Sequence, residues 1–243
     1  MKCADFLFRF RRLALIVIFI VAFWAPWERL GGAHPGSTWL WLAGTVAAMG
    51  LLPIATSTIV VIAVATLVLL LAALVRTWAA AYLGSDVVYD KDLHSERVVA
   101  EGPYRYVRNP LYLGTWWLTA ALSILMPPGG ALFALVAVTL LIVAWVLAEE
   151  RKLTSERGDA YTAYLKKVPR FFPAMVPRIP AGAARPNWLQ GFLGEIHLWG
   201  MAITYVTFAH RYNVTILEQG VLISVGITFL LRAIWRPSIP PNS

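Results

Sequence analysis

From Thr58 to Leu83 the chain runs through one long apolar stretch interrupted by a single charge, Arg76. Such a stretch has few homes. Roughly 20 apolar residues in helical form cross the hydrocarbon of a bilayer. In lipid the backbone must satisfy its own hydrogen bonds, which a helix does and an open strand does not. A closed barrel would need apolar and polar residues to alternate, and here they do not. The rest of the chain repeats the theme. Of its 243 residues, 59% are hydrophobic and 14% charged, more apolar surface than one soluble core of that size can hide.

Seven apolar helical segments are expected, at about 13–27, 39–55, 58–83, 111–126, 131–148, 190–209 and 214–233. Tryptophans stand near their ends, among them Trp24, Trp39, Trp78, Trp116, Trp188 and Trp235, where indole rings favour the membrane interface. Arg9, Arg11 and Arg12 followed by an apolar run resemble a signal peptide. The next residues lack a small-x-small pattern, so a retained anchor helix is expected.

The net charge of +8 is spread over loops rather than gathered in one basic domain. No nucleic-acid recognition motif accompanies it. Residues 84–110 and 149–190 hold 12 of the 21 Lys and Arg, which places both loops on the cytoplasmic side. Three spans before residue 84 would put the N-terminus outside, whereas Lys2 and the early arginines argue for inside. The larger cluster is taken to decide. Cys3 is the only cysteine, and His34, His94, His197 and His210 are dispersed. That leaves no thiolate cluster, disulfide or zinc-like spacing, and no metal is expected.

Pro127-Pro128-Gly129-Gly130 is a strong turn. It folds the fourth and fifth segments into an antiparallel hairpin, 111–148, whose outer ends return to one membrane face. Two distant stretches then become neighbours. One is Gly102-Pro-Tyr-Arg-Tyr-Val-Arg-Asn-Pro-Leu-Tyr-Leu-Gly114, the other the pair Glu149–Glu150. Pro110 suits the first turn of a helix, and the free amides behind it suit an anion. Arg105 and Arg108 offer planar forks for carboxylate or phosphate. Tyr104, Tyr106 and Tyr112 offer faces and hydroxyls. An interfacial Tyr/Arg belt accounts for the same residues without chemistry.

Glu149 and Glu150 are expected to end the fifth helix, where the helix dipole disfavours negative charge. Arg151 and Lys152 would compensate them in a bland reading. In a functional one, a carboxylate there holds an ammonium or sulfonium ligand. Residues 157–170 have the period of an amphipathic surface helix, with Tyr161, Tyr164, Leu165 and Val168 on one side. An extended, proline-rich linker follows.

The order of these parts, closed by Gly158-Asp-Ala-Tyr161-Thr-Ala-Tyr164-Leu-Lys-Lys-Val168-Pro169, resembles the isoprenylcysteine carboxyl methyltransferase and phospholipid methyltransferase superfamily over about residues 76–173. The resemblance implies an all-α integral membrane protein of about seven transmembrane helices with a cytosolic-face catalytic subdomain. Residues 1–83 would form the N-terminal transmembrane helices, 84–180 the cofactor-binding catalytic region, and 181–243 a C-terminal helical hairpin. S-adenosylmethionine is implied as methyl donor. Carried over residue by residue, its contacts become Glu96, Arg97, Val98, Val99, Tyr104, Asn109, Pro110, Leu111, Tyr112 and Glu149.

Two positions depart from the family. Asn109 stands where the family has His, and Asn does not titrate near neutrality. Trp145 stands where eukaryotic prenylcysteine enzymes place a substrate-binding Arg, which argues against a prenylcysteine carboxylate. Arg108 and Glu150 are the expected catalytic residues, with Glu150 or a tyrosine taking a proton if the acceptor is an amine. Trp145 and Arg76 are candidates for the acceptor side, although Arg76 could instead snorkel to the interface.

The expected acceptor is a lipid or lipidated molecule reached from the bilayer, and the expected home is a bacterial inner membrane with the site facing the cytoplasm. Two other classes remain open. Sterol-reductase C-termini share the Pro-x-Tyr and Tyr-rich pattern and bind a nicotinamide cofactor. A transporter or scaffold would place polar residues at mid-span, whereas here they gather at one surface.

Overall fold

Many leucines, isoleucines and valines face outward in this protein, while alanines make up a large share of the helix contacts. Along one helix Leu132, Val136 and Leu140 are 65%, 51% and 66% exposed, whereas Ala131, Ala134 and Val138 are buried. Small residues let backbones approach closely where lipid, rather than water, lies outside. The structure is a computed structural model that describes residues 11–29, 36–83, 101–211 and helical positions between 219 and 230. Among the described residues there are helices and no strand.

The helices are α1 (Arg11–Trp24), α2 (Thr38–Ala48), α3 (Ile54–Leu83), α4 (Pro110–Ser123), α5 (Pro128–Lys167), α6 (Trp188–Gly194) and α7 (Ile196–Arg211). A 3-10 turn, Gly102–Arg105, precedes α4. Two helices are long and apolar enough to cross a membrane, α3 with 30 residues and α5 with 40. Stretches of α1, α2 and α7 are apolar but shorter.

Several expected boundaries move. The segment expected at 39–55 stops at Ala48, ahead of Gly50 at φ +70° and Pro53. The one expected at 190–209 breaks at Glu195 into α6 and α7. The hairpin's second arm does not end at residue 148: α5 continues to Lys167. The surface helix expected at 157–170 is its last leg, set off by Gly158 at φ 55° and ψ −131°. Most of 214–233 lies outside the described residues.

α3 packs against α2, α4, α6 and α7, while α1 lies on α5. The hairpin turn is real and well anchored. Pro128 opens α5 with its φ already suited to a helix. The backbone N–H and the hydroxyl of Thr38 both donate to Met126 O at 2.8 Å. Gly130 lets α1 come in, since a Cβ there would lie 1.9 Å from Ala22 O.

At the other end, Gly102 starts the 3-10 turn at φ +55°, and a Cβ would sit 2.4 Å from the Tyr82 ring. Gly102→Ala is therefore expected to cost about 1–3 kcal/mol from backbone strain alone, read as a lower unfolding midpoint in detergent. An unchanged midpoint would show that the junction tolerates a different turn.

Candidate active site

The junction and the acidic pair do meet. Tyr112 OH donates to Glu149 Oε2 at 2.9 Å, and Arg108 Nη1 donates to Glu150 Oε1 at 3.0 Å. These contacts join the first turn of α4, and the residues just before it, to the middle of α5. The pair is not at a helix end, so the expected conflict with the helix dipole does not arise. Nor do Arg151 and Lys152 compensate it. Lys152 instead makes an exposed pair with Glu156 at 3.8 Å.

The two adjacent carboxylates have opposite surroundings. Glu150 is buried and held by two guanidinium groups, Arg108 and Arg170, the latter at 2.7 Å. Arg108 is held in turn. Its Nε donates to Val168 O at 2.6 Å and its Nη2 to Leu165 O. Glu149 has no cationic partner among the described residues, and its one hydrogen bond comes from the neutral Tyr112 phenol. Tyr112 packs beside Trp145 with ring centroids 6.2 Å apart.

Tyr104 adds a further aromatic group. Its backbone carbonyl accepts from Tyr164 OH at 2.9 Å. Burial, then the nearby Glu149 charge, pushes its phenol well above the ordinary tyrosine value, so it stays a neutral donor. Asn109 does not cap α4 with its side chain. Its Nδ2 donates to Arg170 O at 3.3 Å instead. Pro110 is fully buried beneath it.

Residues 169–178 cross the junction as an extended strap. Arg108 N–H donates to Pro169 O, Ala174 N–H to Tyr106 O and Arg178 N–H to Arg105 O, each at 2.9 Å. Arg105 Nε donates to Ile179 O at 3.0 Å, so this arginine fastens the strap. Under it, between α4 and α5, an apolar recess of about 370 Å³ opens beside Tyr112, lined by Leu113, Trp116, Ile142, Phe171 and Phe172.

The remaining candidates fall as follows. Trp145 is buried, four residues before Glu149, and its Nε1 has no hydrogen-bond partner among the described residues. Arg76 does not snorkel to the interface. It turns inward onto Glu195, with both carboxylate contacts at 2.8 Å. Leu111 gives its backbone carbonyl to Arg76 at 3.2 Å. Glu96, Arg97, Val98 and Val99 lie outside the described residues. Sequence reasoning missed Arg170, although it directly follows the quoted Val168-Pro169. It also left the role of Glu195 open, although a lone acid in an apolar segment calls for a cation.

Comparison with known proteins bears on the same region. The family model described as phospholipid methyltransferase matches residues 44–157, just under half of the chain. A methanethiol S-methyltransferase of Crocosphaera subtropica (strain ATCC 51142 / BH68) is 36% identical over 70 residues, which is 29% of this chain. The chain matches only 27% of that relative's length. No solved structure matches. The stretch that carries the junction, the hairpin and the acidic pair is thus the part of the chain that is similar to the phospholipid methyltransferase family, in line with the membrane methyltransferase superfamily that the sequence resembles.

Proposed function

We propose that the protein is an integral membrane enzyme that transfers a methyl group from S-adenosylmethionine to an apolar acceptor at the cytoplasmic membrane face. One observation carries this reading: among the described residues the Glu149 carboxylate has no cationic partner and accepts from Tyr112, beside Tyr104 and Trp145, while its neighbour Glu150 is held by two arginines. A carboxylate next to aromatic faces suits a cationic ligand. S-adenosylmethionine carries an ammonium and a sulfonium, and when bound it supplies an electrophilic methyl group. The family match and the methyltransferase relative support the same chemistry.

On this reading the chain does its work by holding groups in place. Glu149 and Tyr112 bind the donor's positive end, and Tyr104 offers a neutral hydroxyl. The recess under Phe171 and Phe172 seats the acceptor's apolar part within reach of Tyr112. In-line transfer then gains chiefly from alignment, up to about 7–11 kcal/mol in favourable cases. The bond from sulfur to the methyl carbon breaks as the acceptor's bond to that carbon forms. The sulfonium leaves as a neutral thioether. A carboxylate or thiolate acceptor needs no base.

Glu150 and Arg108 enter this reading as positioning residues, because their polar atoms are engaged with each other, with Arg170 and with backbone carbonyls. The charged segments 84–110 and 149–190 would set the cytoplasmic orientation through their Lys and Arg. A bacterial inner membrane, the seven spans and the three-part division at residues 83 and 180 belong to the same proposal.

The test is calorimetric binding of S-adenosylmethionine and S-adenosylhomocysteine to the purified full chain in detergent, with a reduced nicotinamide dinucleotide as comparison. Binding of the first two, followed by label transfer from methyl-labelled donor to lipids or small thiols, supports the reading. The relative named for methanethiol is the reason to include thiols in that screen. A folded protein that binds only the nicotinamide would move the assignment to a reductase.

A further inference from the structure

α6 and α7 lie beyond the stretch matched by the family, yet one side chain from their joint reaches into the core of that stretch. Glu195, buried at the break between the two helices, accepts from both Nε and Nη2 of Arg76 at 2.8 Å. The third nitrogen, Nη1, donates to Thr115 Oγ1 at 2.6 Å and to Leu111 O at 3.2 Å. Arg76 therefore links α3, the first turns of α4 and the α6–α7 joint.

The fit around it is close. A Cβ on Gly114 would lie 2.3 Å from Arg76 Cγ, so α4 presses directly on the arginine stem. The joint itself is fastened to α3. Asn187 N–H donates to Ala81 O at 2.8 Å, and Trp199 Nε1 donates to Thr77 Oγ1 at 3.0 Å. A Cβ on Gly191 would meet Thr77 O at 2.7 Å. Glu195 is thus not a flexible surface acid that happens to find a cation.

Leu111 and Thr115 flank Tyr112 on the same turns of α4, and Tyr112 is the residue that meets Glu149. We propose that Glu195 and Arg76 form a positioning device: Glu195 orients the Arg76 fork, and the fork fixes the first turn of α4 so that Tyr112 and Glu149 face the bound donor. The α6–α7 joint is then part of the active site although it touches no ligand. The proposal rests on the reading of Glu149 as the donor's anchor.

The experiment separates positioning from mere support of the fold. Two apolar residues of similar shape can replace a buried ion pair with little loss of stability, or with a gain. The Arg76→Met/Glu195→Leu double variant is therefore expected to unfold near the wild-type midpoint. Without the fork on Leu111 O it is expected to bind S-adenosylhomocysteine about tenfold more weakly, since small misplacements cost that much or more. Arg76→Lys, which keeps the charge but not the planar fork, is a second variant with the same expected loss.

Wild-type affinity in a folded variant of either kind would overturn the positioning role while leaving the donor assignment intact. Absence of binding by the wild type itself, measured first, would remove the donor assignment and this proposal together.

Discussion

Glu149→Gln is expected to weaken S-adenosylmethionine binding by about a hundredfold, with the unfolding midpoint nearly unchanged. Glutamine fills the same volume and can still accept from Tyr112, so the hydrogen bond at 2.9 Å survives and the charge alone is lost. Losing one partner of a desolvated, hydrogen-bonded charge pair costs about 2–5 kcal/mol. Glu149 is only half-buried, which argues for the lower part of that range, and about 2.7 kcal/mol is a hundredfold in Kd. The affinity for S-adenosylhomocysteine should fall less, because it lacks the sulfonium. Equal losses for the two ligands would place the carboxylate on the ammonium instead. No loss for either would remove Glu149 from the site.

Glu150→Ala is expected to act on the fold itself and to lower stability by roughly 3 kcal/mol, at the lower end of what breaking a buried ion pair costs. The asymmetry of the pair explains the estimate. The Arg170 side chain is 41% exposed and can turn to water once its partner is gone. The Arg108 side chain is 14% exposed and stays where it is, pinned to the carbonyls of Val168 and Leu165. A charge left there without its partner is the costly one. Because both arginines also hold the strap, limited proteolysis should reach residues 169–178 sooner in the variant. A midpoint shift worth less than about 1 kcal/mol would mean that the ion pair behaves like an ordinary surface contact.

The hairpin and its consequence were legible in the sequence. A Pro-Pro-Gly-Gly turn between two apolar arms of similar length brings residues 108–112 beside residues 149–150, and Tyr112 and Arg108 both reach their acids there. Which acid lacks a cationic partner among the described residues was not legible. Successive residues on a helix do not share a face, so Glu149 and Glu150 meet different partners. The cation that settles the matter, Arg170, is brought back beside Glu150 after the non-helical break at Gly158, which no periodicity announces. Arg151 and Lys152 looked like the partners because they are near in sequence, but nearness along a helix is not nearness of side chains.

Arg76 teaches the same lesson over a longer range. Its place near the end of α3 suggested escape to the interface. The break at Glu195, inside what reads as one apolar helix, put a carboxylate within its reach instead. Helix periodicity forecasts faces, whereas a break of that kind depends on tertiary contacts that a local pattern does not contain. Glu96 to Val99 fall outside the described residues, and their expected contacts stand as part of the proposal.

The pairing of Arg76 with Glu195 also sets an order on biosynthesis. The acid is encoded 119 residues after the arginine. At about 5–20 residues per second the ribosome needs roughly 6–24 s to cover that distance. Throughout that interval the Arg76 fork lacks the carboxylate that orients it, and of its final partners only Leu111 O and Thr115 Oγ1 are already made. A chain that stops short of Glu195 would leave two of the three Arg76 nitrogens without the acceptor they have in the finished fold.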